Sequence, residues 1–113
     1  EIIIGMIKDP TFGPMIAFGS GGILVNLLGD ASFRLASGLT KTEIDEMILE
    51  TKAYTILKGF RGASPDDIPA ITEAVARVGQ FCRDFPEISE LDINPVFAYP
   101  KGLSALDVKI KLA

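Results

Sequence analysis

The chain has 113 residues, of which 48% are hydrophobic and 23% charged, the size and balance of one globular domain rather than of two or of a disordered tail. Lys and Arg number 11 against 15 Asp and Glu, a net charge of −4. That balance argues against a nucleic-acid backbone as the main partner, while leaving room for phosphates held through backbone N–H groups or a metal ion. There is no His, which excludes a Ser-His triad, a His metal ligand and a phosphohistidine built from this chain alone. Cys82 is the lone cysteine, so no internal disulfide can form and a reducing, cytoplasmic setting is expected. No signal-peptide pattern is present, and the apolar run 23–28 is interrupted by Asn26, far short of the roughly 20 residues of a membrane span.

In chain order, residues 1–8 are β-branched and apolar, a strand that reads as already under way and therefore as part of a longer protein. Asp9-Pro10 and Gly13-Pro14 supply turn chemistry, and 15–18 form the expected hairpin partner. Gly19-Ser20-Gly21-Gly22 reads as a flexible turn rather than a P-loop, because the GK[ST] ending is missing. A strand over 23–28 and a short one over 32–36 follow. Thr40 and Glu43 fit a capping box, with Ile44, Met47, Ile48 and Thr51 on one helix face. Ser64-Pro65-Asp66-Asp67 predicts a second helix with Ser64 as cap and Pro65 at its first position. Ile68, Ile71, Val75, Val78 and Cys82 then form its apolar stripe, ending before Pro86. Cys82, Met6, Met15 and Met47 read as packing residues. Residues 88–112 are two strands joined by Tyr99-Pro100-Lys101-Gly102, a type I turn. The expected fold class is α+β, a single domain over 1–113 with a largely antiparallel sheet and two helices packed on it.

Strand alternation puts Glu90, Asp92 and Asn94 on one face of the first of these strands. In the return strand Asp107, Lys109 and Lys111 share the polar face, and Leu106, Val108, Ile110 and Leu112 the apolar one. If Tyr99 pairs with Gly102, then Asn94 opposes Asp107, Asp92 opposes Lys109 and Glu90 opposes Lys111. Opposed Cβ atoms lie about 4.5–5.5 Å apart, close enough for an amide oxygen and a carboxylate to share one hard cation such as Mg²⁺. Cross-strand ion pairs on a solvated face are the competing reading, and spacing alone favours them. A one-residue slip would turn the whole set to the other face.

The segments Glu90-Leu91-Asp92-Ile93-Asn94-Pro95 and Ala105-Leu106-Asp107-Val108-Lys109-Ile110 resemble the end of the ATP-grasp domain of ADP-forming acyl-CoA synthetases, succinyl-CoA synthetase β subunits included. The resemblance continues through Glu1-Ile2-Ile3-Ile4-Gly5, Lys8-Asp9-Pro10-Thr11-Phe12-Gly13-Pro14 and Phe18-Gly19-Ser20-Gly21-Gly22. It extends to Asp30-Ala31-Ser32-Phe33-Arg34-Leu35-Ala36 and Lys58-Gly59-Phe60-Arg61-Gly62, nearly the whole chain in order. It implies the C-terminal subdomain of an ATP-grasp module that uses Mg²⁺ (or Mn²⁺) to pass a phosphoryl group between ATP/ADP and a phosphohistidine. That phosphohistidine, on another domain, exchanges with an acyl phosphate made from acyl-CoA. By the same resemblance Asn94 and Asp107 are metal ligands, Asp92 a further metal-binding acid, and Glu1 a nucleotide contact at the ribose hydroxyls. Arg34 and Arg61 are candidates to steady the phosphoryl group, or else plain structural cations. The implied partners are the rest of the module, the CoA-binding and ligase domains and further subunits in an oligomer, with no nucleic acid and no membrane. The fragment alone is expected to be inactive. Val25-Asn26 departs from the family's Val-Glu pair, and Ser37 stands where Pro is common. The alternatives are a non-catalytic, regulatory ATP-grasp-like module fused to a protein acetyltransferase, or a plain interface domain.

Overall fold

The computed structural model describes residues 1–21, 30–59 and 62–112; the expected strand over 23–28, Asn26 and Arg61 lie outside these. The first two strands, β1 (Ile2–Asp9) and β2 (Gly13–Ser20), form an antiparallel hairpin. Asp9 closes their turn by accepting the Thr11 and Phe12 N–H groups, both at 2.8 Å. A third strand, β3 (Ala31–Leu35), pairs with the outer edge of β2. Three helices follow, α1 (Lys41–Leu49), α2 (Ala53–Leu57) and α3 (Ile68–Asp84). The chain then returns as β4 (Ile88–Ala98), which docks antiparallel on the free edge of β1. Finally β5 (Leu103–Ala105) and β6 (Val108–Leu112) share the outer edge of β4. The sheet order is β3-β2-β1-β4-β5, with β6 also on β4.

The helices cover one face of this sheet. Ile2, Ile4 and Met6 of β1 and Ile16 and Phe18 of β2 meet Ile44, Met47 and Ile48 of α1 and Ile71, Val75 and Cys82 of α3, all essentially buried. Each such side chain contributes about 1.5–3 kcal/mol by leaving water. The stripes expected from helical spacing are the ones buried, and burial pushes the Cys82 thiol up from its ordinary value. Thr40 caps α1, its hydroxyl accepting the Glu43 N–H at 3.2 Å.

Several expectations need correction. There are three helices among the described residues, not two. The extra one, α2, has five residues and no stripe to read; its first N–H groups are satisfied by Asp30, which accepts from Lys52 N at 2.6 Å and Ala53 N at 3.1 Å. Helix α3 starts at Ile68, with Asp67 rather than Ser64 as its cap and Pro69 in its first turn. The preceding chain is tied elsewhere, Asp66 N donating to Leu57 O and Asp67 N to Tyr99 O, both at 2.7 Å. Gly19 and Ser20 belong to β2; a Cβ on Gly19 would lie 2.2 Å from Asp30 O, so the glycine serves close strand approach rather than flexibility. Pro95 lies inside β4, which runs on to Ala98, and Pro95 O accepts the Leu106 N–H at 3.1 Å. The return from the turn is two strands, broken at Leu106–Asp107.

Candidate metal and nucleotide site

The hairpin at the end of the chain takes the register expected from its four-residue turn. Tyr99 N donates to Gly102 O at 3.1 Å, and the φ of +87° at Gly102 is one that glycine adopts without cost. From there Ala98 pairs with Leu103 and Val96 with Ala105. Further along, Ile93 pairs with Val108, Asp92 with Lys109 and Glu90 with Lys111. Between the two ladders Asn94 N donates to Asp107 O at 3.1 Å, which sets Asn94 and Asp107 opposite each other.

The neighbouring strand fixes which way this row faces. Met6 pairs with Leu91 and Ile4 with Ile93 on the helix side, whereas Gly5 pairs with Asp92 and Ile7 with Glu90 on the other. The register against β1 shifts by one residue between Ile4 and Ile2, so that Val96 returns to the core while Asn94 stays on the open face. The Asn94–Pro95 peptide is cis. Gly5 leaves the floor beside Asp92 without a side chain.

Asp92, Asn94 and Asp107 are exposed. Among the described residues their side chains make no hydrogen bond to another side chain or to backbone, and the ion pairs present are Arg34–Glu50 and Arg77–Glu73. The register sets Asp92 against Lys109 and Glu90 against Lys111, but neither pair closes into a salt bridge. No described residue occupies the oxygens of Asn94 and Asp107, which leaves them open to a ligand. Among the described residues no three Asp, Glu, Cys or His side chains group as a metal cage. One amide and one or two carboxylates are instead the hard, incomplete donor set that Mg²⁺ fills with water and phosphate oxygens, and the residues present fit that ion.

The other sequence-predicted residues lie elsewhere. Glu1 lines a cleft of about 360 Å³ with Ser20, Gly21, Ile56, Asp66 and Ala98; Asn94 and Asp107 do not line it. Arg34 pairs in register with the core residue Ile16, on the helix face of the sheet. There it forms an ion pair with Glu50 and donates to Phe33 O at 2.9 Å. The hydrogen bond from Arg34, helped by one from Ser32, holds the Glu50 carboxyl below its ordinary value. Arg34 thus lies in an ion pair on the face opposite Asn94.

Sequence reading missed Asp30. Besides the start of α2, its carboxylate accepts the Ser20 hydroxyl, joining the end of β2 to the helical layer. Burial pushes this carboxyl up, but the bonds from Ser20, Lys52 and Ala53 together outweigh it and hold it below its ordinary value. A second cleft of about 530 Å³ opens among the helices, lined by Lys41, Asp45, Tyr54 and Thr72.

The sheet thus carries its helices on one face and an open polar hairpin on the other. Residues 1–112 match the ATP-grasp domain, and the chain belongs to that family. It is 49% identical over 112 residues to the acetate–CoA ligase (ADP-forming) I subunit beta of Pyrococcus furiosus, covering 99% of this chain and 48% of that protein. It is 46% identical over 114 residues to the 4-hydroxybutyrate–CoA ligase (ADP-forming) of Nitrosopumilus maritimus, covering 99% of this chain and 16% of that one. In three dimensions it is similar to the dinucleotide-forming acetyl-coenzyme A synthetase 1 of Ca. Korarchaeum cryptofilum, solved with coenzyme A and Mg-AMPPCP. That match has a TM-score of 0.94 at 48% identity and covers all of this chain and 53% of the other. The chain thus spans at most about half the length of these relatives.

Proposed function

We propose that this chain is the C-terminal subdomain of the ATP-grasp module of an ADP-forming acid–CoA ligase. The whole enzyme converts acyl-CoA, ADP and phosphate to free acid, CoA and ATP, through a phosphohistidine on another domain. The observation that carries this reading is the register that sets Asn94 against Asp107, with neither side chain bonded to a described residue. In this reading Asn94 and Asp107 hold Mg²⁺, Asp92 lies one row away as a further acid, and Glu1 binds the nucleotide through its ribose hydroxyls. When bound, the ion neutralises phosphate charge in the transferring group. The chain's own residues position it: β4 and the break between β5 and β6 hold two oxygens at fixed spacing on a rigid sheet. The absence of His requires the phosphoryl acceptor to come from outside this chain. The named relatives are acid–CoA ligases, which favours this reading over a regulatory acetyltransferase module.

Asn94→Ala and Asp107→Ala in the full-length protein are each expected to lower Mg-nucleotide-dependent histidine phosphorylation by about 100-fold or more, measured with labelled ATP. Near-normal labelling in both variants would rule out these ligands. Turnover of acyl-CoA, ADP and phosphate by the isolated 113 residues would contradict the reading as a part.

A further inference from the structure

We infer that Asp67 is a positioning residue for the metal-binding hairpin, an inference that rests on the assignment of Asn94 and Asp107 above. Its two carboxylate oxygens serve different elements. Oδ1 accepts the Ala70 N–H at 3.1 Å and caps α3. Oδ2 accepts the Gly102 N–H at 2.8 Å, from 35 residues further along the chain. The Asp67 N–H in turn donates to Tyr99 O at 2.7 Å. Tyr99 and Gly102 are the two ends of the turn, bonded to each other through Tyr99 N and Gly102 O. One residue therefore grips both ends of the hairpin tip.

The grip is anchored on one side and needed on the other. Helix α3 is fixed by Ile71, Val75 and Cys82, each at most 1% exposed. Strand β5 holds β4 through only three residue pairs, and β6 has no buried residue at all. With no buried residue in β5 or β6, core packing does not specify the register of the return; it is set at the turn, and a slip of one residue there would turn Asp107 to the helix face, away from Asn94. By holding Tyr99 and Gly102 to a rigid helix, Asp67 sets the phase in which the metal oxygens meet. Its bonds go to Ala70, Tyr99 and Gly102 and it does not line the cleft at Glu1, so it works through the turn.

Two substitutions separate the cap from the grip. Asp67→Asn keeps an oxygen for the Ala70 N–H, but its amide group cannot accept from Gly102. Asp67→Ser is also a good helix cap, and its side chain is too short to span both partners. Thr40→Ala, which removes the cap of α1 far from the hairpin, is the control for loss of stability alone. The experiment is histidine phosphorylation by the full-length protein with labelled ATP, titrated with Mg²⁺. In Asp67→Asn and Asp67→Ser the Mg²⁺ concentration for half-maximal labelling is expected to rise about tenfold, with the rate at saturating Mg²⁺ within about twofold of the parent. Thr40→Ala should lower the melting temperature and leave the Mg²⁺ requirement unchanged. If both Asp67 variants keep the parent's Mg²⁺ requirement while Asn94→Ala and Asp107→Ala lose labelling, positioning by Asp67 is overturned and the metal assignment stands. An equal rise in Thr40→Ala overturns it too, by assigning the effect to general loosening. If Asn94→Ala and Asp107→Ala label normally, the metal assignment itself falls and the inference falls with it.

Discussion

The first and last hairpins of the sheet are both antiparallel and differ in what they do with their side chains. The β1–β2 hairpin runs through eight unbroken pairs, and Ile4, Met6, Ile16 and Phe18 are lost to solvent almost completely. In the last hairpin, β4 shifts register against β1, and its partner strand is split in two. Every residue of β6 is exposed, and its lysines form no salt bridge with Asp92 and Glu90 of β4 opposite them. The first region spends its side chains on cohesion. The second keeps oxygen atoms uncommitted, which a cation site requires, and borrows its rigidity from β1 on one side and Asp67 on the other.

The contrast can be tested by how much each region costs in stability. Phe18→Ala empties the centre of the cohesive half and should destabilise the domain by about 3–5 kcal/mol, seen as a lower urea midpoint. Asp30→Ala, at the junction of β2 with the helical layer, is expected to cost about 2–3 kcal/mol through its charged hydrogen bonds. Its contribution also has a sign in pH. The folded Asp30 carboxyl lies below its ordinary value near 3.8, so its stabilisation is complete above about pH 5 and is lost as pH falls through the folded value. Glu50 has the same direction. Urea unfolding between pH 7 and pH 3 should therefore show a shallower acid loss in Asp30→Asn than in the parent. Glu73→Gln removes an exposed ion pair to Arg77 within α3 and should move stability by no more than about 0.5 kcal/mol. Asn94→Ala and Asp107→Ala should sit at the bottom of this series, near zero, while standing first in loss of phosphorylation. A large stability cost in either would erase the distinction between the two regions.

What could be read in the sequence follows the range of the interactions. The β1–β2 hairpin, α1 with its Thr40 cap and the stripe of α3 are written in spacings of a few residues. The Asn94–Asp107 row was legible for the same reason, since a four-residue turn fixes every pair behind it. The short helix α2 was not, because the carboxylate that satisfies its first turn is Asp30, 22 positions earlier. The start of α3 was misplaced because Asp67 answers to Tyr99 and Gly102 as well as to its own helix. The partner of Arg34 was closed to sequence because Glu50 lies 16 positions on. Whether Asp92 and Lys109 pair was also closed to sequence, since both readings share one register.

The place of β1 between β2 and β4 has a consequence for synthesis. Its first neighbour leaves the ribosome almost at once, but its second is roughly 80 residues behind, about 4–16 s at ordinary elongation rates. Throughout that interval the inner edge of this strand, the most apolar among the described residues, has unpaired N–H and C=O groups, a template for any other extended segment nearby. The strand that carries Asp92 and Asn94 is thus also the one that seals the nascent sheet, and until it arrives the half-made domain is at its most prone to aggregate.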